Sequence, residues 1–99
     1  MNDMIMNLIT DFETTGNTLN TAKAELRTKE LNLKTKKMEL EFDPEYTKGL
    51  KVKEIAPKIH KDLLPEMEEI CELKAKRDEL ELKFEVLKLQ IKFIGESGL

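Results

Sequence analysis

The strongest structural signal in the chain lies in residues 70–94, ICELKAKRDELELKFEVLKLQIKFI. Apolar side chains recur there at alternating intervals of three and four residues, at Ile70, Leu73, Leu80, Phe84, Leu87, Ile91 and Ile94. This spacing places them along one face of an α-helix. Arg77 is the one polar residue in the series, and we expect it to pair with an acid across the interface or to extend its charge into water. The pattern predicts a helix over about residues 65–94 that packs against another helix.

A heptad repeat in the first half of the chain supplies that second helix. Every seventh residue is apolar, at Ile5, Phe12, Leu19, Leu26, Leu33 and Leu40. The positions three residues further along begin apolar and become cationic at Lys29 and Lys36. A strict period of seven indicates left-handed supercoiling around a partner, because a straight helix drifts about 20° per heptad. The repeat predicts a helix over about residues 3–42.

Gly16 is the weak point of this first helix, because a glycine in a helix costs about 1 kcal/mol relative to alanine. Phe12 and Leu19 keep the heptad register on either side of it. We therefore expect the helix to be continuous or bent at Gly16. The alternative is a break, with Asn17 or Thr18 capping a second helix.

The connection between the two helices begins at Asp43-Pro44, since the residue before a proline avoids helical geometry. Residues 43–64 are expected to form a short helical or irregular connection, with Pro57 and Pro65 each in the first turn of a helix. Gly95 and Gly98 are expected to end the second helix. The predicted fold class is all-α, a long antiparallel helical hairpin or coiled coil in a single helical domain over residues 1–99, and we expect it to be oligomeric.

Composition limits the kind of protein this chain can be. It has 99 residues, of which 37% are charged, with no tryptophan and one cysteine. A single short domain buries little surface, so no large enclosed pocket is expected. No apolar stretch reaches membrane-spanning length, and the N-terminal stretch lacks the basic start of a secretory signal. The lone cysteine excludes an intrachain disulfide, so we expect a reducing, cytoplasmic location.

The residues that usually carry chemistry are too few and too far apart for an enzyme. His60 is the only histidine and Cys71 the only cysteine, and eleven residues and a proline separate them. They form neither a zinc site nor a nucleophile with its base. Four nearby carboxylates are interpreted as a solvent-exposed helix face, at Glu66, Glu68, Glu69 and Glu72. We therefore expect no enzymatic activity, no cofactor, no metal and no small-molecule substrate.

A second apolar stripe indicates an interaction surface. On the second helix it consists of Leu82, Val86, Leu89 and Phe93, on the face opposite the first stripe. The first helix repeats this more weakly at Ala24, Leu31, Met38 and Phe42. One partner helix cannot cover both faces, and exposed apolar patches usually mark interfaces. The predicted interface residues are Leu82, Val86, Leu89, Phe93, Leu31 and Met38, and the expected occupant is a second copy, a larger protein partner, or both, and not a membrane.

The charges of the chain are unevenly distributed. Residues 23–61 contain eleven bases and seven acids, whereas residues 62–99 contain six bases and ten acids, giving charges of +4 and −4. The first interpretation is that the two helices attract each other in the hairpin. The second is a basic surface that contacts nucleic acid through Lys34, Lys37, Lys48, Lys51 and Lys53, with Tyr46 as the one ring available for stacking.

The leading functional hypothesis is a non-enzymatic coiled-coil module for protein–protein interaction, acting as an adaptor, an inhibitor or an assembly factor. One alternative is a nucleic-acid-associated protein that uses the lysine-rich segment 34–61. Another is a structural coiled-coil scaffold. In composition the chain resembles many short, lysine- and glutamate-rich helical proteins of bacteria and their phages, and this resemblance assigns no role to any residue.

Overall fold

Four α-helices make up the protein in a computed structural model that describes residues 2–96. They are α1 (Asn2–Glu41), α2 (Pro44–Thr47), α3 (Val52–Asp62) and α4 (Leu64–Glu96). No strand occurs within this described range. The two long helices, α1 and α4, occupy nearly the ranges that the apolar periodicities predict.

The chain forms two compact units, the first from Met1–Ala24 with Lys74–Leu99 and the second from Glu25–Leu73. In the first unit, Phe12 of α1 stacks on Phe84 of α4, and Lys23 pairs with Glu81. The later residue of α1 thus contacts the earlier residue of α4, so the two helix segments run antiparallel in this unit.

The second unit repeats the antiparallel arrangement with its own segments of the same helices. Here Lys29 of α1 pairs with Glu69 of α4, and Lys36 pairs with Glu66. The predicted all-α antiparallel helical hairpin is thus confirmed.

The core of each unit consists of the heptad series of α1 and the series of α4 that runs from Ile70 to Ile94. Every apolar residue of these two series is buried or half-buried. Leu19 and Leu87 are buried in the first unit, and Leu26 and Ile70 in the second. Each fully buried side chain of this size contributes about 1.5–3 kcal/mol. The stripes therefore supply most of the driving force that holds α1 against α4.

Arg77 is accommodated in the α4 stripe by hydrogen bonds to the residue that follows it. Its Nε and Nη2 atoms both donate to Oδ1 of the adjacent Asp78, at 3.0 and 2.9 Å. The arginine side chain is half-buried and Asp78 is exposed. The aliphatic part of Arg77 thus continues the apolar stripe while the guanidinium group is directed toward solvent.

Helix α1 is continuous through Gly16, and the missing side chain leaves room there for an aromatic ring. A Cβ atom at this position would lie 3.1 Å from Cε2 of Phe84. The Phe84 ring in turn stacks on Phe12, with centroids 4.5 Å apart and planes 20° from parallel. The glycine that weakens the isolated helix therefore lies against an aromatic ring of α4 in this unit.

The connection begins as predicted and then forms more helix than the sequence indicates. After α1 ends, Oδ1 of Asp43 accepts a hydrogen bond of 3.0 Å from the N–H of Glu45, and Pro44 is the first residue of α2. An Asp cap followed by proline at the first position is a common helix start. Gly49 then adopts φ of 76°, a conformation that L side chains rarely occupy.

One expected helix position is wrong. Pro57 lies inside α3, in its second turn, because α3 already starts at Val52, where the N–H of Lys51 donates to the Glu54 carboxylate. Pro65, in contrast, lies in the first turn of α4 as predicted. Gly95 is in the last turn of α4, whose described part ends at Glu96, and Gly98 lies outside the described residues.

Candidate protein-interaction surface

The outer stripe of α4, defined as Leu82, Val86, Leu89 and Phe93, lies on the helix face away from α1. At about 100° per residue, these positions are roughly opposite Phe84, Leu87 and Ile91. Their exposed fractions range from 46% to 72%. The stripe is therefore a continuous apolar surface over nearly two heptads that the described residues of its unit leave exposed.

Charged and polar side chains border the outer stripe on both sides. Glu85 and Lys92 lie along one edge, and Lys83 and Gln90 lie along the other, all of them exposed. Lys92 Nζ is 4.0 Å from Glu96 Oε1, a distance at the limit of an ion pair, with both side chains largely in solvent. Such a contact leaves the Lys92 ammonium group available to another carboxylate.

The corresponding residues of α1 are also exposed. In the second unit, Leu31 and Met38 are one heptad apart on α1, and Phe42 follows the end of the helix. Ala24, which continues this series, is exposed in the first unit. The structure thus places all the predicted interface residues at solvent-exposed positions.

A groove in the second unit was not foreseen. It has a volume of about 380 Å³, and its lining comes from α1, α3 and α4: Lys37, Glu41, Val52, Ile55, Ala56, Ile59, His60 and Met67. Its floor includes the buried Ile59 and the half-buried Ile55 and Met67. The helical spacing of Val52, Ile55 and Ile59 was visible in the sequence, but α3 could not be placed against α1 and α4 without the connection.

Ion pairs between α1 and α4 give the uneven charge distribution a structural role. Lys29 Nζ lies 3.1 Å from Glu69 Oε1, and Lys36 Nζ lies 3.2 Å from Glu66 Oε1. Lys23 Nζ lies 3.4 Å from Glu81 Oε1 in the other unit. Each lysine is on α1 and each glutamate on α4, which agrees with the interpretation that the halves attract each other.

The sequence predicts Glu66 and Glu69 on a solvent-exposed face, and in the structure Glu69 is exposed and Glu66 half-buried. Their pairing with the cationic heptad positions of α1 was not predicted. Glu66 stands four residues before Ile70, so extending the α4 stripe backward would have found it. The pKa of Glu66 is lowered first by a hydrogen bond that its carboxylate accepts from its own backbone, and then by the hydrogen bond that Lys36 donates.

The lysine-rich segment is solvent-exposed, but its aromatic ring is occupied. Lys34, Lys37, Lys48, Lys51 and Lys53 are all exposed. The Tyr46 hydroxyl donates a 2.6 Å hydrogen bond to Asp62 Oδ2, and Lys58 Nζ lies 4.2 Å from the ring centroid. Partial burial and the neighbouring Asp62 raise the pKa of Tyr46 to about 12. One face of the ring is thus already covered by a cation.

The residues considered for catalysis or metal binding are dispersed. Cys71 is an exposed free thiol on α4, and His60 is exposed at the groove. Within residues 2–96, no group of three His, Cys, Asp or Glu side chains is placed to hold a metal ion.

Comparison with known proteins identifies no relative. No protein-family model matches the chain, and no curated protein or solved structure matches it. None of the helices described here is long and apolar enough to cross a membrane.

Proposed function

We propose that this chain is a non-enzymatic coiled-coil module for protein–protein interaction and that the outer stripe of α4 is its main binding surface. The observation that carries the proposal is the exposure of Leu82, Val86, Leu89 and Phe93 on the face opposite α1. Contiguous apolar surface of this kind on a small protein usually marks an interface. Docking a helix on it would use the heptad packing already present between α1 and α4.

The outer residues of α1 support a second contact of the same kind. Leu31 and Met38 are exposed at heptad spacing, and the flexible Met38 side chain suits adaptable binding surfaces. A module with apolar residues on both long helices fits the role of an adaptor, an inhibitor or an assembly factor. A scaffold would use the same residues and would differ only in the number of partners.

Nucleic-acid binding through the lysine-rich segment is less well supported. Exposed lysines attract phosphate, but single-stranded nucleic acid is usually held by bases stacked on aromatic rings. Tyr46 already has Lys58 over its ring and Asp62 on its hydroxyl. Binding to DNA or RNA that weakens steeply with salt would revive this alternative.

The proposal predicts that Leu89→Glu combined with Phe93→Lys abolishes complex formation and leaves the helices intact. The two substitutions introduce charges into a surface that must lose water on binding, whereas neither residue is needed between α1 and α4. Circular dichroism would report helicity, and light scattering would report the mass of the oligomer or complex.

A matched control is Thr10→Glu with Thr14→Lys, which introduces the same charges at the same spacing on exposed positions of α1. We expect this variant to keep both its helicity and its complexes. Loss of helical signal in the stripe variant at every concentration would place the stripe in the folded core. Retained helicity with unchanged mass and unchanged partner binding would refute the proposed surface.

A further inference from the structure

We infer that the outer stripe of α4 binds the outer stripe of a second copy of this chain, with the two α4 helices antiparallel. This inference rests on the proposed function, because it uses the same surface and specifies its occupant. The spacing of the outer stripe and the charges along its two edges support this inference.

The spacing of the outer stripe defines a coiled-coil seam. The intervals of four, three and four residues place Leu82 and Leu89 at d positions and Val86 and Phe93 at a positions of two consecutive heptads. In an antiparallel pair, a positions face d positions. Leu82 then meets Phe93 of the second copy, and Val86 meets Leu89, with every contact repeated by the two-fold axis.

The charges along the first edge are complementary in this alignment. Glu85 and Lys92 occupy successive g positions, and g positions face each other in an antiparallel pair. Glu85 therefore lies opposite Lys92 of the second copy, and symmetry makes a second identical pair. Both side chains are exposed, so each is free to turn toward the other copy.

The second edge also permits the antiparallel alignment. Its e positions are Lys83 and Gln90, which face each other across the axis without bringing like charges together. A parallel alignment would place Glu85 opposite Gln90 and lose both Glu–Lys pairs. Among the described residues, its other edge pair would join Lys83 to Asp78, whose carboxylate already accepts two hydrogen bonds from Arg77.

The extent of the stripe sets the strength of association. It contributes four apolar side chains per copy, which is a short seam for a coiled coil, and small interfaces form weak or transient complexes. We expect a dimer that dissociates on dilution, with a fold that does not depend on dimerisation.

Charge reversal tests the pairing directly. Glu85→Lys alone or Lys92→Glu alone places like charges opposite each other twice, so each should weaken the dimer about tenfold. The double variant Glu85→Lys with Lys92→Glu restores both pairs in reversed order and should restore the wild-type dissociation constant. Sedimentation equilibrium over a range of concentrations gives these constants, and circular dichroism verifies that each variant is helical.

Lys88→Glu provides the control, because Lys88 is exposed on α4 but lies on neither edge of the stripe. It changes net charge by the same amount as Lys92→Glu and should leave the dimer unchanged. Rescue by the double variant together with an unaffected control would support the antiparallel alignment.

Three results would overturn the inference, and they separate it from the proposed function. A chain that stays monomeric at every concentration excludes the second copy as occupant but leaves the stripe free for a different protein. A dimer that the double variant fails to rescue excludes the antiparallel alignment alone. A dimer that survives Leu89→Glu with Phe93→Lys excludes the stripe, and the proposed surface fails with it.

Discussion

At the scale of single residues, Tyr46 shows how charged neighbours define the environment of a side chain. Its hydroxyl is bonded to a carboxylate and its ring lies against an ammonium group. The contacts to Asp62 and Lys58 join the short helix α2 to α3. In the sequence Tyr46 was only an isolated ring, because contacts twelve and sixteen residues away leave no periodic signal.

Titration of Tyr46 tests this environment. Its pKa of about 12 results first from partial burial of the phenol and then from Asp62, which accepts its hydrogen bond and repels the phenolate. Because the pKa in the folded protein lies above the ordinary tyrosine value of 10.0, the contribution of Tyr46 to stability is present below pH 10 and is lost as the pH rises through about 12. Asp62→Asn should lower the pKa toward 10.0.

Phenolate absorbance measures this titration without interference, since the chain has one tyrosine and no tryptophan. Glu39→Gln, which removes an exposed carboxylate from α1, should leave the midpoint unchanged. A wild-type midpoint near 10 would show that the hydrogen bond to Asp62 is not maintained in solution.

At the scale of elements, the two long helices follow from periodicity, whereas the details of their contact do not. The heptad series of α1 and the three-and-four spacing of α4 predict which faces meet. They do not show that Phe84 packs on Gly16, because the axial alignment of two helices depends on the connection between them. From the sequence alone, Gly16 is only a residue that weakens the helix.

A double-mutant cycle tests the contact between Gly16 and Phe84. With Phe84→Ala or Phe84→Leu as background, Gly16→Ala should stabilise the protein by about 1 kcal/mol, the ordinary gain in helix propensity. In the wild-type background the gain should be smaller or reversed, because the new methyl group would lie 3.1 Å from the ring. Thermal unfolding followed by circular dichroism gives the coupling energy.

Gly95→Ala is the matched control for this cycle. A Cβ atom at Gly95 meets nothing within 4 Å, so its effect should be the same with and without the Phe84 ring. Equal gains for Gly16→Ala in both backgrounds would mean that the ring does not pack over the glycine.

At the scale of the whole molecule, the division of charge between the two halves has a role that the sequence could indicate only in outline. The charges of +4 and −4 predict attraction but not which residues meet. The pairing of Lys29 and Lys36 with Glu69 and Glu66 also explains how cations can occupy heptad positions, since each has an acid beside it. The groove beside α3 could not be predicted from the sequence either, because it forms only where three helices meet and the sequence does not give their positions.

Charge reversal in the second unit tests this attraction. Lys29→Glu with Lys36→Glu should destabilise the protein by about 1 to 3 kcal/mol, because each half-exposed ion pair contributes up to about 1 kcal/mol and becomes a repulsion. Adding Glu66→Lys and Glu69→Lys should recover most of that loss. Chemical denaturation would measure both changes.

The effect of reversal should shrink in concentrated salt, where charges on the surface are screened. Lys34→Glu with Lys37→Glu, which reverses two exposed charges on the same helix, serves as the control and should cost less stability. A fourfold variant no more stable than the twofold one would show that these ion pairs do not form in solution.

The exposed thiol of Cys71 has a consequence for any measurement of mass. As the only cysteine, it has no partner within the chain, so air oxidation joins molecules in pairs through a covalent bond. Such a disulfide-linked dimer persists on dilution, and its formation does not depend on the charges along the outer stripe. Oxidised preparations would therefore contain a dimer of the expected mass for an unrelated reason, and only the protein kept under reductant, or carrying Cys71→Ser, reports the association of its helices.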